Sequence, residues 1–355
     1  MRKIGIFFLM LFLLSTGATA AHWDDEAMDR LRDAMPEAAN HLRNDGTAKG
    51  FWEDLKSIWD RTAQQSRGHL RTAGSSMLRV LCVLMLCQLL KMMFGAHSNR
   101  AASLLGALGI AAAAASDVKM LLGLGIEVMD EIHTFSDALL PVLASAAAAS
   151  GSLSGAGIYY TVTVVFGDIL IRLSREVLLP LICAYVAMAA VDAALEDGKM
   201  KKLREMIGWV ISGGLKLLLG AFTAFLTVTG ILTGASDTLA LKTAKLTFST
   251  MIPVVGSILS DASESLLAGA GVVRTAAGTL GMTAILAVFA LPCLKIAISW
   301  LSFRVTGALG GIFDSSQSNL LDAISTAMGY ILAMVSSCVF MSLLSCCCFM
   351  KAVHG

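Results

Sequence analysis

Apolar runs close to the length of a bilayer crossing recur from Met77 to the end of the chain, separated by short charged loops, and this alternation restricts the fold more than any other feature. A helix needs about 20 predominantly apolar residues to cross a hydrocarbon layer of about 30 Å. Runs near 77–95, 101–116, 138–156, 157–174, 176–195, 206–233, 279–302 and 323–350 approach or meet that need. The expected fold class is all-α, a polytopic transmembrane helical bundle. Composition agrees, with 56% hydrophobic and only 15% charged residues, where globular proteins average about 25% charged. A net charge of +1 offers no polyanion-binding surface, and no basic run interleaved with aromatics points to nucleic acid.

The first 20 residues have the three parts of a secretory signal: Arg2 and Lys3, an apolar run from Ile4 to Leu14, and Ala18-Thr19-Ala20 as a small-residue cleavage site. Cleavage would start the mature chain near Ala21 and export residues 21–76; an uncleaved first span is the alternative. Within that exported, partly helical segment, Leu55, Ile58 and Trp59 mark an amphipathic helix with Phe51 and Trp52 at its start. It is too small to bury a core alone, which leaves docking to a partner or to the membrane surface. The remaining division is a first transmembrane group over 77–235, an interfacial or re-entrant segment over 236–278, and a second transmembrane group over 279–355.

Orientation follows from the basic loops. Lys91 and Arg100 flank one, and Lys199, Lys201, Lys202 and Arg204 make the strongest. Positive residues favour the cytoplasmic side, so both belong inside and an even number of crossings must separate them. Counting 138–156 and 157–174 separately meets that condition, and places 234–278 and Gly355 outside. The acids Asp117, Glu127, Asp130, Glu131 and Asp137 are read as a loop between two spans.

The stretch KTAKLTFSTMIPVVGSILSDASE, Lys242 to Glu264, departs from the spanning pattern. Between Lys245 and Asp261 it holds too few uncharged residues to cross. Phe248, Met251, Ile252, Val255, Ile258 and Leu259 recur at helical spacing, while Lys242, Lys245, Ser249, Ser257, Ser260 and Glu264 fall on the opposite stripe. Pro253 and Gly256 interrupt the middle, so a bend follows, and at membrane depth a bend needs protein or water around it. With Asp261, these polar and bend residues are the candidate pore-lining or partner-docking set; an amphipathic helix lying flat on lipid is the plainer alternative.

Catalytic patterns are missing from the sequence. It contains no phosphate-binding G-x-x-x-x-G-K-[ST] loop, no H-E-x-x-H and no G-x-S-x-G. Neither cofactor nor metal is expected: the six histidines are scattered, and the eight cysteines lie in apolar runs without a C-x-x-C pair. The informative groups are the ionisable residues inside or near the ends of apolar spans, Asp168, Asp192, Lys216 and Lys295. Each costs roughly 2.5–3.5 kcal/mol at a helix centre. They either line a polar path, with Lys295 paired to Asp168 or Asp192, or snorkel to an interface. Gly151 and Gly155, Gly230 and Gly234, and Gly307 and Gly311 are spaced for close helix approach or for self-association into a homo-oligomer. The repeated Leu140-Pro141, Leu179-Pro180 and Leu291-Pro292 hint at an internal repeat of the transporter kind.

The order of these pieces resembles the stage III sporulation protein AE family. The resemblance rests on the N-terminal signal, the many spans, and the block Lys242…Lys245…Ile252-Pro253-Val254-Val255-Gly256…Leu259-Ser260-Asp261. Gly278…Gly281 and Leu291-Pro292-Cys293-Leu294-Lys295-Ile296 extend it. It covers Met77 to the C-terminal end. The resemblance implies a non-enzymatic membrane subunit of the channel complex linking mother cell and forespore, in the mother-cell-derived outer forespore membrane. Implied partners are ring-forming subunits, a separate traffic-type ATPase and a forespore-side protein. A stand-alone secondary transporter for a small solute, or a membrane anchor that recruits an exported partner, are the competing readings of the residues themselves.

Overall fold

The computed structural model describes residues 48–94, 99–149, 153–195, 200–228, 276–311 and 315–354, and all of them are helical apart from single turn residues. The elements are α1 (Ala48–Phe94), α2 (Asn99–Ala149), α3 (Leu153–Leu173), a π-helical turn (Ser174–Leu178), α4 (Leu179–Leu195), α5 (Lys201–Val228), α6 (Ala276–Gly310) and α7 (Ser315–His354). The signal-like segment 1–20 lies outside the described residues.

Six helical passes are long and apolar enough to cross a membrane, with α3, the π turn and α4 counting as one. Eight shorter spans were expected, and two boundaries account for the difference. Run 101–116 and the first part of run 138–156, to Ala149, belong to the single helix α2, so the acids between them sit on a helix face rather than in a loop. The opposite face of that stretch, Val128, Met129, Ile132, Phe135 and Leu139, is buried. Runs 157–174 and 176–195 are likewise continuous through the π turn. Pro180 has no N–H to give the carbonyl four residues back, and here the Leu179 amide reaches five residues back, to the Ser174 carbonyl. A one-turn π bulge is the usual way for a helix to absorb such a misfit.

The bundle is built around α7. In its apolar window 89% of the residues are buried, against 28–44% in the other five passes, and it packs against α2, α3, α4, α5 and α6. A helix apolar on all sides requires such a surrounding. Its hydroxyls are used inward: Ser337 donates to the Ala333 carbonyl, Ser136 Oγ on α2 lies 3.0 Å from Ser342 Oγ, and Ser345 Oγ lies 3.2 Å from Thr163 Oγ1 on α3.

Contacts along α7 set the relative level of its neighbours. Near its start, Gln317 meets Gly106 of α2, and Leu84 of α1 lies against Gly310 of α6. Near its finish, Phe166 of α3 meets Phe222 of α5 at 5.4 Å with the rings tilted, and Leu139 of α2 covers Gly281 of α6. The passes therefore alternate in direction. The α1–α2 and α4–α5 connections, which carry the two basic loops, share one end of the bundle with the α6–α7 turn. That turn is where close approach uses small residues: Gly307 lies against Leu321 and Asp322, and Gly311 bonds back to the Gly307 carbonyl. Gly151, Gly230 and Gly234 lie outside the described residues, and Gly155 is in the first turn of α3.

Candidate functional site

α2 and the α3–α4 pass carry charges on facing stripes. Residues 130, 133 and 137 follow helical spacing on α2, and the π turn shifts the register of the facing pass so that Arg175 reaches Asp130 in an ion pair. One turn further, the His133 ring lies 3.0 Å from Asp168 Oδ1 and 3.6 Å from Asp137 Oδ2. Gly167 leaves the space that this imidazole occupies, since a Cβ there would stand 3.3 Å from it. The result is a seam of alternating charge on the bundle surface, with Asp130 and Arg175 nearly half exposed.

Exposure sets the expected strength of this seam. If water reaches it, the Asp130–Arg175 pair contributes about 0.2–1 kcal/mol. A double-mutant cycle with Asp130→Ala and Arg175→Ala, read as thermal stability of the purified protein, is expected to return a coupling in that range. Several kcal/mol would instead indicate a dry surrounding.

A second polar feature joins α1, α2 and α6. His69 lies 3.2 Å from Ser299 Oγ, and Thr72, Ser76, Asp117, Ser302 and Thr306 line the same groove. Sequence reading passed over it because each residue alone is unremarkable among apolar neighbours. The available signal was a matched spacing: 69, 72 and 76 on one helix face 299, 302 and 306 on the other, each set at i, i+3 and i+7.

The third feature lies towards the basic end. Arg304 of α6 bonds Asp322 of α7 at 3.0 Å, and two turns along α7 Tyr330 meets Tyr185 of α4 edge-on at 5.6 Å. Arg204 stands 5.9 Å from the centre of the Tyr185 ring. Gly208 of α5 permits this packing, because a Cβ there would fall 2.5 Å from the Tyr330 hydroxyl.

Of the four singled-out charges, Asp168 is bound to His133 and forms no ion pair with Lys295, and Asp192 forms none with it either. Of the two readings of Lys295, the one that paired it with Asp168 or Asp192 is corrected, because the α2–α3 seam claims Asp168. Lys216 is exposed on α5 and Asp192 is half-buried on α4. Lys242, Lys245, Ser249, Pro253, Gly256, Ser257, Ser260, Asp261 and Glu264 all lie outside the described residues. Among the described residues, no three His, Cys, Asp or Glu side chains are grouped to hold a metal ion, and Cys82, Cys87, Cys183, Cys293, Cys338, Cys346 and Cys347 are outside any disulfide.

Comparison with known proteins adds what this geometry cannot. The stage III sporulation protein AE of Bacillus subtilis (strain 168) is 26% identical over 224 residues, which cover 61% of this chain. The match spans 55% of the relative's own length. No solved structure matches. The family description "Stage III sporulation protein AE" fits residues 41–352, from before α1 to within α7. The chain, a helical bundle with six passes of membrane-crossing length, belongs to the stage III sporulation protein AE family.

Proposed function

We propose that this protein is a non-enzymatic, multispanning subunit of the channel complex that joins mother cell and forespore during endospore formation, serving as export platform or pore component. The observation that carries the reading is the family match over residues 41–352, supported by six apolar passes around a buried central helix. In this role the protein sits in the mother-cell-derived outer forespore membrane with its N-terminal segment exported, and a separate traffic-type ATPase supplies the energy. Ring-forming subunits meet the side of the membrane that carries residues 234–278. The basic loops sharing one end of the bundle support that orientation, since positive loops stay cytoplasmic.

The test is co-purification of the tagged protein from sporulating cells. A ring-forming subunit is expected to accompany it, and Pro253→Leu or Gly256→Leu is expected to reduce that recovery at least tenfold while membrane levels stay unchanged. Retention of both assembly and spore formation in these variants would remove the role given to the 242–264 block. Uptake of a small solute by the purified protein alone in liposomes would replace the whole reading with a transporter.

A further inference from the structure

The described helices are longer than a bilayer needs. α1 has 47 residues and α2 has 51, about 70 and 76 Å at 1.5 Å per residue, against about 30 Å of hydrocarbon. Some of each helix must stand outside the membrane, and the exposed side chains show which part.

On α1 one buried stripe runs its full described length through Leu55, Ile58, Thr62, Ser66, Ala73, Ser76, Val80, Leu84 and Cys87. The face opposite changes character along the way. Glu53, Lys56, Asp60, Arg61 and Arg67 are exposed over 53–67, whereas Leu70, Leu78, Met85, Leu86, Leu89, Met92 and Met93 are exposed over 70–93. The neighbouring passes repeat the division. Large exposed apolar residues run over 104–120 on α2, 177–195 through α4, 203–217 on α5 and 301–309 on α6. The contacts of Leu84 with Gly310, Gly106 with Gln317, and Tyr185 with Tyr330 place all of these towards the basic end. Beyond them, the described large apolar side chains left exposed are Trp59, Val165 and Ile169. The charged seam of Asp130, His133, Asp137, Asp168 and Arg175 lies there, level with Cys338 and Ser342 of α7.

We infer that the bilayer grips only the half of the bundle next to the basic loops, and that the other half projects into water as a helical tower encircled by the charged seam. The apolar girdle measures about 27 Å on α4 and about 35 Å on α1, which matches one hydrocarbon layer. The apolar outer halves of α6 and α7 need no lipid, because residues 281–288 and most of 327–347 are buried by protein. The girdle also contains charges. The stems of Arg71, Arg79, Lys119 and Lys216 are long enough to snorkel, Arg304 and Asp322 form a pair, and Asp117 lines the groove beside His69; Arg204 and Glu205 at the basic end and Asp192 on α4 are the others. The partner assigned to the girdle is the acyl-chain layer itself, and the assignment stands or falls independently of the role in sporulation.

The native tryptophans supply the test. Trp209 is 73% exposed within the girdle and Trp59 is 45% exposed beyond it. Two single-tryptophan proteins, with the other tryptophans replaced by Phe, are reconstituted into phosphatidylcholine liposomes with or without brominated acyl chains. Brominated lipid is expected to at least halve Trp209 fluorescence and leave Trp59 unchanged, while aqueous iodide quenches Trp59. Quenching of Trp59 by the lipid would overturn the inference by immersing the tower, and quenching by neither agent would overturn it by covering the tower with another chain. If the tryptophan variants do not fold, Asp137→Cys and Leu86→Cys in the otherwise native protein take their place. A 5-kDa polyethylene-glycol maleimide added from the water is expected to label Asp137→Cys at least tenfold faster than Leu86→Cys. Equal rates would sink the proposal, and so would a narrow aqueous pore that shuts the bulky reagent out.

Discussion

Ala333→Asp is expected to remove the protein from the membrane fraction almost entirely. Ala333 lies on α7 with no exposed surface, its carbonyl already accepts the Ser337 hydroxyl, and Ile331, Met334 and Val335 around it are buried as well. A carboxylate there would enter this buried apolar stretch of α7. An unpaired buried charge costs several kcal/mol even after relaxation or protonation, a large part of the 5–15 kcal/mol that holds a folded domain. The matched control is Ala63→Asp on the exposed, polar face of α1, where a surface change is expected to stay within about 0.5 kcal/mol. Immunoblots of membranes from sporulating cells should show at least a tenfold loss for Ala333→Asp and wild-type levels for Ala63→Asp. Normal accumulation of Ala333→Asp would mean that α7 is not the pillar of the bundle.

The same contrast explains which parts of the fold could be read from sequence. The helical class was plain, because an apolar chain of this length has few other ways to satisfy its backbone in lipid. The shared end of the two basic loops was also legible, since charge asymmetry reports orientation directly. The number of passes was not. In α2, Glu127, Asp130, Glu131 and Asp137 resemble a polar loop when counted as charges. They resolve into one helix only when Val128, Met129, Ile132 and Phe135 are recognised as the buried complement. At Arg175 and Glu176 the charges coincide with a π turn that Pro180 imposes, a kink within a pass that looks like a break between two. Burial is invisible to hydropathy as well. The runs at 279–302 and 323–350 are as apolar as any in the chain, yet α7 owes its character to protein neighbours rather than to lipid.

The candidate site divides along similar lines. Asp168 was recognisable as an expensive charge in an apolar run, but its partner was not, because His133 is 35 residues away and had been set among scattered histidines. The His69 groove was missed because it exists only when two helices are laid side by side. Pairing between helices is a tertiary fact, and a spacing of i, i+3 and i+7 on each strip suggests it without choosing the partner.

Packing at the α2–α7 contact yields the second large effect, on a pair of glycines two residues apart. A Cβ built on Gly125 would stand 2.9 Å from Cγ2 of Ile331 and 3.5 Å from Cγ2 of Val335, whereas one on Gly123 meets nothing within 4 Å. The obstructing methyls belong to β-branched residues, whose χ1 is nearly fixed in a helix, so they cannot swing aside. Gly125→Leu is therefore expected to destabilise by about 1–3 kcal/mol or more through overpacking. Gly123→Ala gains helix propensity of up to about 1 kcal/mol at no steric cost. Thermal unfolding of the purified variants should move the midpoint down for Gly125→Leu and up for Gly123→Ala. Gly125→Ala is expected to fall between them, as its propensity gain opposes a clash that only a backbone shift relieves. If both alanine variants are stabilised alike, α2 and α7 do not touch at this point, and the levels assigned to the charged seam along α7 lose their anchor.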